Sequence, residues 1–250
     1  MNFFKTLQRD AGPILRALTR SRAGAVLIAL QCAITLAILT NAIFIIQDRL
    51  QKMGRPSGVD TDNLFIIRTV PLKKPENYRD DIERDLTALR ALPGVVNASV
   101  TSSMPLSGGG SSTSLRAALG DKPGSGVGFA YYETDDQGLE TFGLKLVAGR
   151  NFKAEEITAW ANNSERQGGS LIVSQAYASK LFPKGDALGK PLYDDNGKSV
   201  TIVGIVERLQ APWINWGELE YGVLLSQYTL DPVFIKYIVR AEPGQRDRVM

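Results

Sequence analysis

Residues 185–190 read Gly-Asp-Ala-Leu-Gly-Lys, a glycine-rich turn ending in Gly-Lys, which is how nucleotide-binding loops cradle phosphates. Other residues could also do chemistry by type and spacing. Asp135-Asp136 and Asp194-Asp195 are adjacent carboxylates, and Ser179-Lys180 and Lys198-Ser199 place a hydroxyl beside an amine, the pairing of a Ser-Lys nucleophile. Neighbours on a strand point to opposite faces, and carboxylates in turns are usually solvated, so neither Asp pair predicts a hydrolytic or metal centre. A helix surface and a hairpin arm account for the Ser-Lys pairs. The sequence contains no histidine, the commonest general base and a common zinc ligand, and a single cysteine, Cys32, so neither an internal disulfide nor a thiolate metal cluster can form. No catalytic, cofactor-binding or metal-binding residue is assigned from the sequence.

The elements around 185–190 decide what the turn is. A phosphate loop needs G-x-x-x-x-G-K-[ST] between a strand and a helix, so that backbone N–H groups and the helix N-terminus face the anion. Here three residues separate the glycines, Pro191 stands where the magnesium-binding hydroxyl belongs, and a helix precedes the turn while a strand follows it. The turn is therefore read as structural.

Residues 23–46 contain no charged side chain. These 24 residues make about 36 Å of helix, enough to cross a hydrocarbon core of about 30 Å. A cleavable signal peptide would have a shorter apolar region; Thr40-Asn41-Ala42 is a weak cleavage candidate, and the run continues past it, so the segment is read as an uncleaved anchor. Five basic residues precede the span and three follow closely, which predicts a cytoplasmic N-terminus and export of everything after residue 47. Residues 1–22 suit either an amphipathic segment on the inner membrane surface, broken at Gly12-Pro13, or a basic tail. Gln31 and Thr35 share a helix face, and with Asn41 they could bond a partner helix. Eight of the 29 basic and two of the 26 acidic residues lie in the first 56, leaving 21 against 24 beyond and no basic face for nucleic acid.

The exported region mixes strands and helices, an α+β pattern. Residues 63–70 read as a strand, the segment after them as a helix with Tyr78, Ile82, Leu86 and Leu89 on one face, and 95–103 as a second strand. Residues 105–128, rich in Gly, Ser and Pro, read as a surface loop or hairpin tip. Beyond a polar gap at 161–169, SLIVS is a strand and QAYASKLF a short helix with Ala176, Leu181 and Phe182 available for packing, ended by Pro183. Asn196-Gly197 marks a hairpin turn. Trp213 and Trp216 fit either a local core or an interface. Two further strands follow, and the polar segment from Pro243 begins like a helix, which points to a piece of a longer polypeptide.

Three segments carry a resemblance: ETFGLKLVAGRNF, then LIVSQAYASKLFPKGDALGKPL, then VTIVGIVERL. They resemble the periplasmic core domain of MacB-type and FtsX-like ABC transporter permeases, and residues 14–50 look like the amphipathic helix and first membrane helix of those proteins. The most specific parts are Gly-Arg-x-Phe at 149–152 and Leu-Phe-Pro followed by Leu-Gly-Lys within 181–190. The resemblance implies a domain of two subdomains, a porter-like β-α-β module from residues 57–128 and 205–250 and a small α/β insert from 129–204. It implies a permease of four membrane helices, of which only the first is present.

The same resemblance implies a second permease copy, identical or not, and an ATPase on a separate chain, because only 22 residues precede the span. It also leaves room for a periplasmic adaptor or outer-membrane channel. The function so implied is transmission of ATP-driven dimer motion across the inner membrane, for export or mechanical work. The alternative is a single-span anchored sensor or adaptor domain.

Overall fold

The computed structural model describes residues 22–70, 77–161, 169–231 and 235–250. The amphipathic segment read at 1–22 therefore lies, apart from Arg22, outside the described residues. The chain divides into two units, Met1–Arg55 and Pro56–Met250.

The first unit holds helix α1, Arg22–Met53, 32 residues or about 48 Å. Its apolar side chains, Leu27, Ile34, Leu36 and Phe44 among them, are exposed, as a lipid-facing helix requires. The helix continues past the last uncharged residue because 47–53 are mostly good helix formers, and Lys52 pairs with Asp48 one turn back at 2.8 Å. Thr35 Oγ1 donates to the Gln31 carbonyl at 2.8 Å, so this hydroxyl is satisfied within its own helix rather than being held ready for a neighbour.

In the second unit, β1 (Leu64–Ile67), α2 (Tyr78–Arg90) and β2 (Val95–Thr101) form the expected strand-helix-strand unit. Asn77 caps α2 by accepting from the Arg79 amide, and Gly94, at φ 88°, makes the turn into β2. The two strands do not touch. β12 (Lys236–Ala241) lies between them, antiparallel to both. Ile82 and Leu86 of α2 pack on Ala98 and Val100 of β2 and on Tyr237 and Val239 of β12, the alternate residues of each strand.

The larger sheet has the order β3-β4-β10-β7-β9-β5, with β8 also on β9. Its strands are β3 (Ser111–Leu115), β4 (Val127–Glu133), β5 (Leu146–Gly149), β7 (Ser170–Ser174), β8 (Pro191–Tyr193), β9 (Ser199–Val206) and β10 (Gly222–Leu225). The sheet is mixed, with β4/β10 and β7/β9 parallel. One face carries Phe129, Tyr131, Leu171, Val173 and Val223 under helix α4 (Gln175–Leu181). The other carries Tyr132, Ile172 and Leu224 against Leu64 and Ile238 of the small sheet and Phe142 of the short helix α3 (Gly138–Phe142). A parallel pair, β6 (Thr158–Trp160) and β11 (Gln227–Thr229), completes the strands. A single turn, α5 (Arg246–Val249), forms from the segment that begins like a helix in sequence.

Three sequence readings change. The sheets do not divide at 128 and 204: β3, from the segment assigned to the porter-like module, pairs with β4, and β10, from the returning segment, lies between β4 and β7. The small sheet takes residues 64–67, 95–101 and 236–241, and the large sheet takes strands from 111 to 225. Within the glycine- and serine-rich stretch, Ser111–Leu115 is one arm of a hairpin, an edge strand whose polar composition gave no apolar alternation to read. In α4 the buried residues are Tyr177 and Ala178, with Leu181 and Phe182 packed beside them, while Ala176 is only half-buried.

Candidate functional site

The Gly-Lys turn uses its backbone internally. Gly189 N–H donates to the Ile202 carbonyl at 2.8 Å, Ile202 N–H donates to the Lys190 carbonyl at 3.1 Å, and Lys190 N–H donates to the Ala187 carbonyl at 3.1 Å. The Gly189 and Lys190 amides are thus spent within the protein, on β9 and on the turn itself. Lys190 Nζ pairs with Asp186 at 3.3 Å, and both side chains are about half exposed. Gly185 and Gly189 have φ of 80° and 75°, so glycine is there for backbone conformation. Helix α4 precedes the turn and β8 follows it, the order read from the sequence.

The Gly-Arg-x-Phe motif is built against the same strand. Gly149 has φ 79°, and a Cβ placed there would lie 2.2 Å from the Val203 carbonyl oxygen and 2.6 Å from Leu188 Cδ1. The two most specific sequence motifs therefore meet on β9, with Leu188 of the Gly-Lys turn packed over Gly149. Arg150 forks onto Glu156, its two Nη atoms donating at 2.7 and 2.6 Å. Glu156 also accepts from the Lys153 amide at 2.8 Å and from Ser170 Oγ at 3.0 Å, and Phe152 fills the core behind. The Arg150 guanidinium, helped by those two donors, lowers the Glu156 carboxyl from its ordinary value to about 2.

A folded-state pKa below the unfolded one stabilises the fold above the ordinary carboxylate pKa, and this stabilisation is lost as pH falls from about 4.5 toward 2. Because Arg150 is 43% exposed, solvent screening reduces the contribution to about 1–2 kcal/mol. Glu156→Gln is expected to lose that much at pH 7 and to match wild type near pH 2. Thermal unfolding of both proteins across that range checks it, and a constant difference at all pH values would refute it.

The other candidate residues are dispersed. Asp194 Oδ1 accepts from the Asn196 and Lys198 amides, so it shapes the hairpin turn, and Asp195 accepts from the Gly124 amide. Ser179, Lys180 and Ser199 are exposed. Trp213 and Trp216 meet edge to face with centroids 5.5 Å apart, over Ala130, Ala211 and Leu219, a local core. Among the described residues no three His, Cys, Asp or Glu side chains come together as a metal site.

Asp135 departs from the solvated carboxylate read in the sequence: it is 7% exposed. Its carboxylate accepts from Ser99 Oγ at 2.6 Å, from the Gln137 amide at 3.0 Å and from Arg90 Nη2 at 3.1 Å. Burial pushes the carboxyl up, and the Ser99 hydroxyl and Arg90 charge pull against that without cancelling it. Around it, Asn97 Nδ2 donates to Gln137 and Glu140, Thr134 and Ser99 share a hydrogen bond of 2.8 Å, and Arg240 bridges Asp60 and the Glu140 carbonyl. This polar network joins the small sheet to the end of β4 and α3. Sequence reasoning missed it, although a signal was present: β2 alternates Asn97, Ser99 and Thr101 with Ala98 and Val100, a polar face that is buried, not solvated.

No match is found among the curated proteins. The extracellular domain of the noncanonic ABC-type transporter YknZ from Gram-positive bacteria is similar in structure, with 16% identity, TM-score 0.42, and coverage of 74% of this chain and 86% of that one. The periplasmic region of MacB from Actinobacillus actinomycetemcomitans is similar at 14% identity and TM-score 0.41, with coverage of 78% and 81%. The sequence itself matches the MacB-like periplasmic core domain over residues 25–249, nine-tenths of its length. With its apolar N-terminal helix followed by a sheet-rich α+β domain, the chain belongs to the MacB-like periplasmic core domain family of ABC transporter permeases.

Proposed function

We propose that the chain acts as a permease subunit of an ABC transporter, carrying motion driven by ATP hydrolysis on a separate chain across the bacterial inner membrane to its exported domain, for export or mechanical work. The family match carries this reading, because it begins within α1 and runs through both sheets, so that anchor and domain belong to one unit of that family. The charge pattern around residues 23–46 supports an N-terminus in the cytoplasm and a periplasmic domain. The three-stranded sheet with α2 is the porter-like module in this reading, and the large sheet is the insert. The polar network at Asp135 is then a stiff joint through which displacement passes. A second permease copy completes the membrane assembly, and a periplasmic adaptor or outer-membrane channel would meet the exported domain.

The test is affinity purification of the protein from its native membrane in mild detergent, followed by mass spectrometry. An ABC-type ATPase is expected to accompany it, and a cysteine introduced at exposed Ser111 should react with an impermeant thiol reagent from the periplasmic side. Recovery with no ATPase would overturn the reading in favour of a single-span sensor or adaptor. Labelling only from the cytoplasmic side would overturn the topology.

A further inference from the structure

Residues of both sheets and of the β6/β11 pair, among them Ser111, Thr229 and Lys236, line an open cleft of ≈ 410 Å³. This is within the range that takes small organic ligands. Arg68 extends from the end of β1, and Lys236 opens β12, so two cations from the small sheet border one space. Trp160 on β6, half-buried, and the edge of Tyr131 on β4, which is 6% exposed, also line it. Gly110 keeps the β3 entrance close: a Cβ there would lie 2.4 Å from Pro212 Cγ.

The electrostatics are lopsided. Lys236 Nζ donates to the Ser102 carbonyl, a neutral acceptor, and among the described residues neither Arg68 nor Lys236 forms an ion pair with a carboxylate. Burial, and secondarily the Arg68 charge, pushes the Lys236 ammonium down. Glu133 also lines the cleft, but it is 3% exposed and its carboxylate accepts from Gln227 Nε2 at 2.8 Å, so it is directed into the protein's own hydrogen bonding. Two cations, against one buried carboxylate that is already hydrogen-bonded, favour a negative group that enters between them. The Trp160 indole favours an apolar or aromatic body, and the same cations disfavour cationic ligands and metal ions.

We propose that this cleft binds a small organic anion with a flat apolar body, its charge held by Arg68 and Lys236 and its body against Trp160. The inference does not depend on which ATPase drives the protein, nor on whether the domain moves. A charged headgroup gains charge-assisted hydrogen bonds from both side chains, and an arginine can offer two at once. Loss of either cation is expected to weaken binding by about tenfold.

The experiment uses the full chain in lipid nanodiscs, labelled with fluorotryptophan and followed by fluorine NMR. Trp160 is assigned by Trp160→Phe, leaving Trp213 and Trp216 as internal references. The probes are naphthalenesulfonate, naphthalenemethanol and naphthylmethylammonium, which share a body and differ in charge. A saturable shift of the Trp160 signal is expected with the sulfonate, with binding at least about tenfold weaker for the alcohol and weaker still for the ammonium. Arg68→Gln should weaken the sulfonate by about tenfold. Arg68 is exposed and lies beyond the strand, so this variant keeps its fold if Lys236→Met does not. No saturable Trp160 shift up to about 10 mM sulfonate, equal binding of the ammonium, or an unchanged affinity in Arg68→Gln would each overturn the proposal.

Discussion

Gly149→Ala is expected to destabilise the sheet-rich domain by about 2–5 kcal/mol, a large part of the 5–15 kcal/mol that holds a typical domain together. Two costs combine. At φ 79° an alanine sits in the left-handed region, which L side chains enter at about 1–2 kcal/mol. Its Cβ would also stand 2.2 Å from the Val203 carbonyl oxygen and 3.0 Å from Gly204 Cα, both backbone atoms. Val203 O cannot yield freely, since it accepts from the Arg150 amide at 3.0 Å and lies in the β5/β9 pairing. Overpacking against such a neighbour adds about 1–3 kcal/mol. Gly189→Ala is the control, because its φ of 75° carries the same conformational cost while a Cβ there meets open space. Denaturant unfolding should show Gly149→Ala losing clearly more than Gly189→Ala. Equal losses would mean that φ alone matters and that the docking of the Gly-Lys turn over Gly149 contributes little.

That contact shows what sequence could and could not disclose. Gly-Arg-x-Phe and Leu-Gly-Lys stand out in the chain as separate motifs, and their residue types alone invite a phosphate-binding reading of the second. Only pairing along β9 brings Leu188 onto Gly149 and spends the Gly189 amide on Ile202. The membrane helix and α2 were legible because their signals are local: an unbroken uncharged run in one, and Ile82, Leu86 and Leu89 at helical spacing in the other. The small sheet's closure by β12 was not, since residues 64 and 240 pair across most of the chain. Nor was the joint. Ser99 and Asp135 are both polar residues that local rules place in water, and they are buried because they meet each other, Thr134 and Arg90 across the fold. Tyr177 was overlooked for a related reason: its ring faces Phe129 and Tyr221, partners about 45 residues away on either side.

Asp135 yields the second large effect, and its sign depends on the replacement. Asp135→Ala removes the acceptor for Ser99 Oγ and the Gln137 amide and leaves Arg90 without its carboxylate. Unsatisfied buried donors cost about 1–3 kcal/mol each, but Arg90 is 35% exposed, still donates to the Ala98 carbonyl at 2.8 Å, and can recruit water. The expected loss is about 2–4 kcal/mol. Asp135→Asn keeps an oxygen acceptor for Ser99 and the Gln137 amide and removes a charge that burial disfavours, but it turns an amide donor toward Arg90, so it should cost less than Asp135→Ala, about 1–2 kcal/mol. The pH dependence supplies an independent check. Because the folded-state pKa is raised, the aspartate's contribution is most favourable below its ordinary value of 3.8 and is lost as pH rises through the raised value. Wild type should therefore gain on Asp135→Asn as pH falls, opposite to the behaviour at Glu156, where acid removes the advantage of the carboxylate. Unfolding of both variants at several pH values distinguishes these slopes. If the network is the joint through which motion reaches the large sheet, Asp135→Ala in the assembled transporter should reduce transport more than ATP hydrolysis, whereas Asp135→Asn should keep the two coupled. Equal losses of transport and hydrolysis in Asp135→Ala would leave the network a role in folding only.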